Sequence, residues 1–232
     1  MDACIVTGAS SGIGKAISER LIKRGMKVYG ISREPDKGGP LQPHFVPVPL
    51  DLSDTHAISG AIQAIAASER SIKILVNNAG VGAFGPHDSI DPEEMERMVR
   101  VNLLAPAVLT RLLLGRLRAK RGHVIFIASV AANCPSPMGA LYGATKAGLR
   151  HLAHSIFEEN RRAGLKVHTI LPDITATAFF SDLSFGPDLQ DPMAYLVPDD
   201  VADAVEYLLD SRDPVVIQEI QLRPQVFKIE RR

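Results

Sequence analysis

Apolar positions along the chain follow two alternating rhythms. Ala3 to Thr7 is a short, partly β-branched run, and after a Gly/Ser cluster Ile13, Ala16, Ile17 and Leu21 recur at three- and four-residue spacing. The first pattern predicts a strand and the second a helix. Gly25 stops that helix and Lys27 to Ser32 supplies a second strand, which completes a β-α-β unit of about thirty residues. The rhythm then repeats. Strands are predicted at His44–Leu50, Ile72–Asn77, His123–Ser129, Lys166–Leu171 and, last, Val215–Leu222. Between them fall helical patterns at Thr55–Ser68, Asp91–Arg118, Leu141–Asn160 and Asp199–Leu209.

Such alternation predicts one α/β domain spanning residues 1–232, a doubly wound parallel sheet with helices on both faces and right-handed crossovers. The loops richest in Gly and Pro are Arg33–Pro43 and Leu183–Pro198. The second follows a strand end, where ligands bind in such sheets, so a short substrate lid is expected around 178–198.

Composition narrows the partners. Lys plus Arg equal Asp plus Glu at 26 each, so no global field draws the chain to nucleic acid or a membrane surface; small molecules are expected instead. No apolar stretch reads as long enough for a bilayer span. The first residues lack a basic region followed by a cleavable apolar segment, so a cytoplasmic protein is expected. Cys4, in an apparent strand, and Cys134, in a loop, form no disulfide framework or metal spacing and are read as free thiols. The seven histidines carry no metal spacing either.

Thr7-Gly8-Ala9-Ser10-Ser11-Gly12-Ile13-Gly14 lies between the first strand and the first helix. Glycines there permit a tight turn and let backbone N–H groups and the helix N-terminus approach a pyrophosphate. The spacing departs from the common Gly-x-Gly-x-x-Gly, and its position in the β-α-β unit is what gives it weight. At the end of the second strand, where a dinucleotide site for NAD carries an acid, this chain has Ser32, followed by Arg33. A guanidinium suits a 2′-phosphate, so NADP(H) is expected over NAD(H). The competing reading is a solvated Arg33 beside Glu34 and Asp36.

Tyr142 and Lys146 are four residues apart on a predicted helix and therefore share a face. A fixed cation next to a phenol is expected to bring its proton within reach of acid–base work near neutral pH. Ser129 closes an apolar strand, which sets its hydroxyl at the carboxyl edge of the sheet.

With Asn77-Asn78-Ala79-Gly80 after the fourth strand, Asn102, Ser129, Tyr142 and Lys146 in order, the chain resembles a short-chain dehydrogenase/reductase of the Tyr-x-x-x-Lys type over nearly its whole length. The resemblance implies a Rossmann fold and an NADP(H)-dependent oxidoreductase interconverting a carbonyl and a secondary alcohol. It implies that Ser129 holds the substrate carbonyl, that Tyr142 is the general acid/base, and that Lys146 lowers the tyrosine's pKa and binds the nicotinamide ribose. Asn102 would hold a water that relays protons; an ordinary helix-surface asparagine is the alternative. Asn78, Ala79 and Gly80 would pass under the adenine ribose, and Asp51 and Leu52 would meet adenine, unless Asp51 only caps the next turn. Gly8, Ser10, Ser11, Gly12, Ile13 and Gly14 would hold the pyrophosphate, and Pro172, Thr175 and Thr177 the nicotinamide end. The family's glycine after that proline is Asp173 here, a position expected to tune substrate choice.

The resemblance further implies a homo-oligomer, dimer or tetramer, packed through helices near Pro92–Arg118 and Leu141–Asn160. Alternatives are a non-catalytic dinucleotide-sensing regulator, an NAD(H)-dependent alcohol dehydrogenase of the same fold, and a sugar-nucleotide dehydratase or epimerase. The last usually carries a longer substrate domain than the segment following Thr177. Cys134 and Met138 are expected as pocket walls, and His151 and His154 as solvent- or subunit-facing.

Overall fold

The computed structural model describes residues 1–35 and 43–231. Asp36 and most of the Arg33–Pro43 loop thus lie outside the described residues. Seven parallel strands form one sheet in the order β3-β2-β1-β4-β5-β6-β8: β1 Ala3–Thr7, β2 Lys27–Ser32, β3 Phe45–Pro49, β4 Ile72–Asn77, β5 His123–Ile127, β6 Lys166–Pro172 and β8 Glu219–Leu222. The helices are α1 Gly12–Lys23, α2 Thr55–Ser68, α3 Pro92–Val99, α4 Ala105–Ala119, α5 Ala140–Asn160 and α6 Pro198–Asp210. Every residue of β1 and β5 is buried, as a strand covered on both faces requires. Alternation along β1 sends Ile5 into one core layer with Leu109, Leu113, Phe126 and Leu149. Cys4 and Val6 enter the other layer, with Ile17, Leu21, Val201 and Val205. The chain runs outward from β1 through β2 to β3 and then restarts on the other side at β4. The crevice between the carboxyl ends of β1 and β4 is therefore the switch point where ligands enter such sheets.

The expected helix Asp91–Arg118 is not uniform. A π-helical turn, Arg100–Leu104, separates α3 from α4. Pro106 accounts for it: in a regular helix its ring would press on the carbonyl of Asn102 four residues back, and it has no N–H to donate there. The run Pro92–Ala119 is long and apolar enough, by length and composition, to cross a membrane, contrary to the reading from sequence. Met98, Val101, Ala105, Leu109, Leu113 and Leu117 are all buried, and core packing explains its apolarity.

Two short strands were not expected from the sequence. Phe185–Pro187 (β7) and Ile229–Arg231 (β9) form a separate antiparallel ribbon. Three residues each are too few for alternation to show in sequence.

A buried histidine pair joins β5 to β6. His123 Nδ1 lies 3.1 Å from His168 Nε2, and His168 Nδ1 lies 2.6 Å from the carbonyl oxygen of Ile217. A carbonyl only accepts, so His168 donates from Nδ1, and neutral His123 donates to His168 Nε2. His168 Nε2 is thereby engaged as an acceptor, and only His123 Nε2 is left to take a second proton, at the cost of a buried charge. Burial, with Lys166 nearby, pushes His123 down to about 3 and His168 to about 4. As pH falls from about 6.5 toward 4, the unfolded chain takes up protons that the folded chain refuses, so stability drops. We expect urea unfolding to show a loss of a few kcal/mol between pH 7 and 4.5. His168→Asn, which keeps a donor for Ile217 but does not titrate, should flatten that slope, and a stability independent of pH here would contradict the assignment.

Candidate active site

The turn after β1 is built for close approach. Gly8 holds φ +67°, and a Cβ there would stand 2.9 Å from Asn78 Nδ2. A Cβ on Gly14 would land on the carbonyl oxygen of Gly8 and 2.5 Å from the same Asn78 nitrogen. Asn78 is the clamp: its Nδ2 donates to Thr7 O at 2.8 Å, while the N–H groups of Asn78 and Ala79 donate to Thr7 Oγ1 at 2.9 and 3.0 Å. Asn78-Ala79-Gly80 thereby ties the ends of β1 and β4 together at the switch point. Ser11 is the N-cap of α1 but makes no side-chain cap bond, so its hydroxyl leaves the helix's first N–H groups open to an anion.

These residues open on a cavity of about 1300 Å³ that reaches Tyr142 and Lys146. Gly8, Ser10, Ser11, Gly12 and Ile13 line it beside Ser32, Arg33, Asp51 and Leu52; Thr177 approaches Gly12, with its Cγ2 3.0 Å from where a Cβ would be. Ser32 Oγ is buried with no partner among the described residues, an orphan that a ligand hydroxyl or phosphate oxygen would satisfy. Asp51 is not the N-cap of α2; Asp54 is. Asp51 instead accepts from Ser53 N and Ser53 Oγ, both at 2.9 Å, and this bonding together with Arg33 and Arg97 holds its carboxyl below the usual range. Arg97, on α3, also lines the cavity, and no motif marks it in sequence.

At the far end, β5 delivers Ser129 and α5 delivers Tyr142 and Lys146. Tyr142 and Ser129 line this end of the cavity together, near enough for Ser129 to act on the phenol's pKa, and Ser129 Oγ accepts from Ala131 N at 3.2 Å. Lys146 is buried, donates to Ile127 O at 3.0 Å, and sits 5.8 Å from the Tyr142 ring centroid. Burial pushes the phenol up to about 12, with Ser129 pulling weakly the other way, and pushes the Lys146 ammonium down to about 8. The expected lowering of the tyrosine is thus outweighed here by desolvation of the phenolate. Gly80 brings the chain close to this pair, since a Cβ on it would lie 3.3 Å from Lys146 Nζ.

Asn102 sits in the π turn, fully buried. Its side chain makes a two-way clamp on Val81, accepting from N and donating to O at 2.8 Å each, and also donates to Thr145 Oγ1 at 3.2 Å. The exposed-surface alternative for Asn102 is excluded. Asp173 does not occupy a left-handed position. Its carboxylate accepts from Arg223 Nε at 3.0 Å and its carbonyl from Thr175 Oγ1 at 2.9 Å, so it is an ion-paired wall beside Pro172. Cys134 and Met138 line the cavity as expected. His151 is exposed, and His154 Nε2 lies 3.5 Å from Glu219.

The family model for short chain dehydrogenases matches residues 2–186. The chain belongs to that family. Among its curated relatives, serine 3-dehydrogenase of Rhizobium radiobacter is 30% identical over 95% of this chain and 92% of its own. A metagenomic short-chain oxidoreductase solved with NADP is 32% identical, with a TM-score of 0.81 over 97% of this chain and 98% of that one. The 3-ketoacyl-(acyl-carrier-protein) reductase of Brucella melitensis, solved with NADH, superposes with a TM-score of 0.85 at 25% identity over 97% and 98%. This short-chain dehydrogenase is an oxidoreductase acting on CH–OH groups, and its glycine cradle and orphaned Ser32 hydroxyl fit a dinucleotide.

Proposed function

We propose that the protein is an NADP(H)-dependent reductase or dehydrogenase interconverting a carbonyl and a secondary alcohol, with Tyr142 as its proton donor and acceptor. The observation that carries this is the gathering of Ser129, Tyr142 and Lys146 inside the cavity that the glycine cradle opens, with Lys146 Nζ 5.8 Å from the centroid of the Tyr142 ring. A nicotinamide dinucleotide held there would supply the hydride. Ser129 orients the carbonyl oxygen, and Tyr142, a neutral phenol at any ordinary pH, protonates it. Lys146 then faces the phenolate left behind, where a cation lowers the cost of that charge. Asn102 holds Val81, and through it the loop after Gly80, against α5. Intact Ser129, Tyr142 and Lys146 weigh against a purely regulatory role.

Gly8, Ser10, Ser11, Gly12, Ile13 and Gly14 would take the pyrophosphate, Asp51 and Leu52 the adenine side, and Thr175 and Thr177 the nicotinamide side. Ser32 and Arg33, supported by Arg97, would receive the 2′-phosphate. A charge-assisted hydrogen bond is worth about 1.5–3 kcal/mol, so Arg33→Gln should raise the KM for NADPH by roughly 10–100-fold while that for NADH stays put. Wild-type preference for NADH would contradict this choice. The segment 178–198 serves as the substrate lid, and the long helices α4 and α5 as the surface of a dimer or tetramer in the cytoplasm.

A further inference from the structure

Beyond Tyr142 the cavity is walled by rings. Phe84 packs 5.2 Å from Tyr142 and, edge-on, 5.1 Å from Phe185, while Phe179 lies 5.9 Å from Tyr142. Phe185 belongs to β7, and the residue paired with it across the ribbon is Arg231 of β9. Alternation along this last segment is visible in the lining: Phe227, Ile229 and Arg231 face the cavity, whereas Lys228 and Glu230 do not. The wall therefore runs from Phe227 and Ile229 to a guanidinium.

Two nearby carboxylates are already paired. Asp188 is ion-paired with Lys228, and Asp173 with Arg223. Arg231, an exposed residue that lines the cavity opposite Phe185 in the ribbon, makes no ion pair among the described residues. A forked guanidinium at the end of an apolar wall matches a carboxylate, which it meets with two parallel hydrogen bonds. Two ring-to-ring steps, Tyr142 to Phe84 and Phe84 to Phe185, separate that cation from the phenol. An extended chain suits this span better than a short oxo acid, whose carboxylate stands a carbon or two from its carbonyl.

We propose that Arg231 is a substrate-recognition residue, and that the cavity takes a carbonyl compound whose reacting carbon is joined through an extended apolar chain to a carboxylate. The proposal names the substrate class of the reductase reading above and rests on it for the position of the carbonyl at Tyr142. The ribbon β7–β9, pinned by the Asp188–Lys228 pair, is what holds Arg231 at this distance.

The test compares acetoacetate with a medium-chain oxo acid whose carbonyl and carboxylate stand at opposite ends, and with the methyl ester of the latter, all with NADPH. Wild-type protein should prefer the medium-chain acid to its ester and to acetoacetate. Arg231→Gln should lower the acid-to-ester ratio of kcat/KM about 10-fold, through KM. An unchanged ratio, or a preference for acetoacetate, overturns the proposal. Binding of decanoate, which cannot be reduced, to the NADPH-loaded protein gives a readout free of turnover. Its thermal shift should vanish in Arg231→Gln, and equal shifts in both proteins overturn the assignment. Decanoate binding that depends on Arg231, with no carbonyl reduced, would retain the subsite and sink the reductase reading. Carbonyl reduction indifferent to Arg231 would do the reverse.

Discussion

Tyr142→Phe is expected to lower kcat for carbonyl reduction by about 10²–10⁴-fold, the usual worth of a positioned acid. The fold should not notice. The ring contacts with Phe84 and Phe179 survive in phenylalanine, and only the hydroxyl near Ser129 is removed. Affinity for NADPH should stay within about 2-fold, because the cradle around Gly8 is built from other elements, and a parallel loss of kcat and kcat/KM is the signature of a group acting in the transition state. The pH profile carries a second signature. With the phenol pushed up to about 12, Tyr142 remains a proton donor across the working range, whereas Lys146, pushed down to about 8, loses its charge above that pH. Reduction by the wild-type protein should be flat below pH 8 and fall above it, as the cation that faces the nascent phenolate disappears. A rate that rises through pH 8 would show that Lys146 does not act as a charge.

Gly14→Ala is the second large effect. The added methyl would meet the carbonyl oxygen of Gly8 and Asn78 Nδ2, and the first of these is backbone that cannot swing aside. Overpacking of this kind costs about 1–3 kcal/mol, and here it falls on the turn proposed to receive the pyrophosphate. We expect a lowered Tm and a loss of at least about 10-fold in NADPH affinity, followed by the shift in melting temperature on adding cofactor. Gly60→Ala, in α2 with nothing within 4 Å of the new methyl, is the control and should stabilise by about 0.5–1 kcal/mol. If both variants melt and bind alike, the cradle does not depend on the closeness of Gly8 and Gly14.

Much of this site is legible in sequence because its parts are local. β1, α2 and β4 begin and end at the residues that periodicity predicts, and the glycine turn and the Tyr142–Lys146 pair each fit within one strand–turn or one helix. What was missed is set by contacts between distant segments. Arg97 reaches Asp51 and the cavity from the exposed face of α3, and nothing in its neighbourhood distinguishes it from a solvated charge. Arg231 joins the cavity only because β9 pairs with β7, more than forty residues earlier in the chain. The π turn was within reach, since Pro106 lies four residues after Asn102, but helical periodicity alone runs straight through it. The direction of the Tyr142 shift was not readable, because proximity of a lysine shows in sequence and the depth of burial does not.

The most direct test of the central claim is isotope transfer. NADPH deuterated at the transferable position of its nicotinamide ring is supplied with a panel of carbonyl compounds, and the products are examined by mass spectrometry. At least one alcohol should carry deuterium at its carbinol carbon, and Tyr142→Phe should transfer about 10²–10⁴ times more slowly. Saturable NADPH binding with no deuterium delivered to any carbonyl, or equal transfer by Tyr142→Phe, would contradict the account.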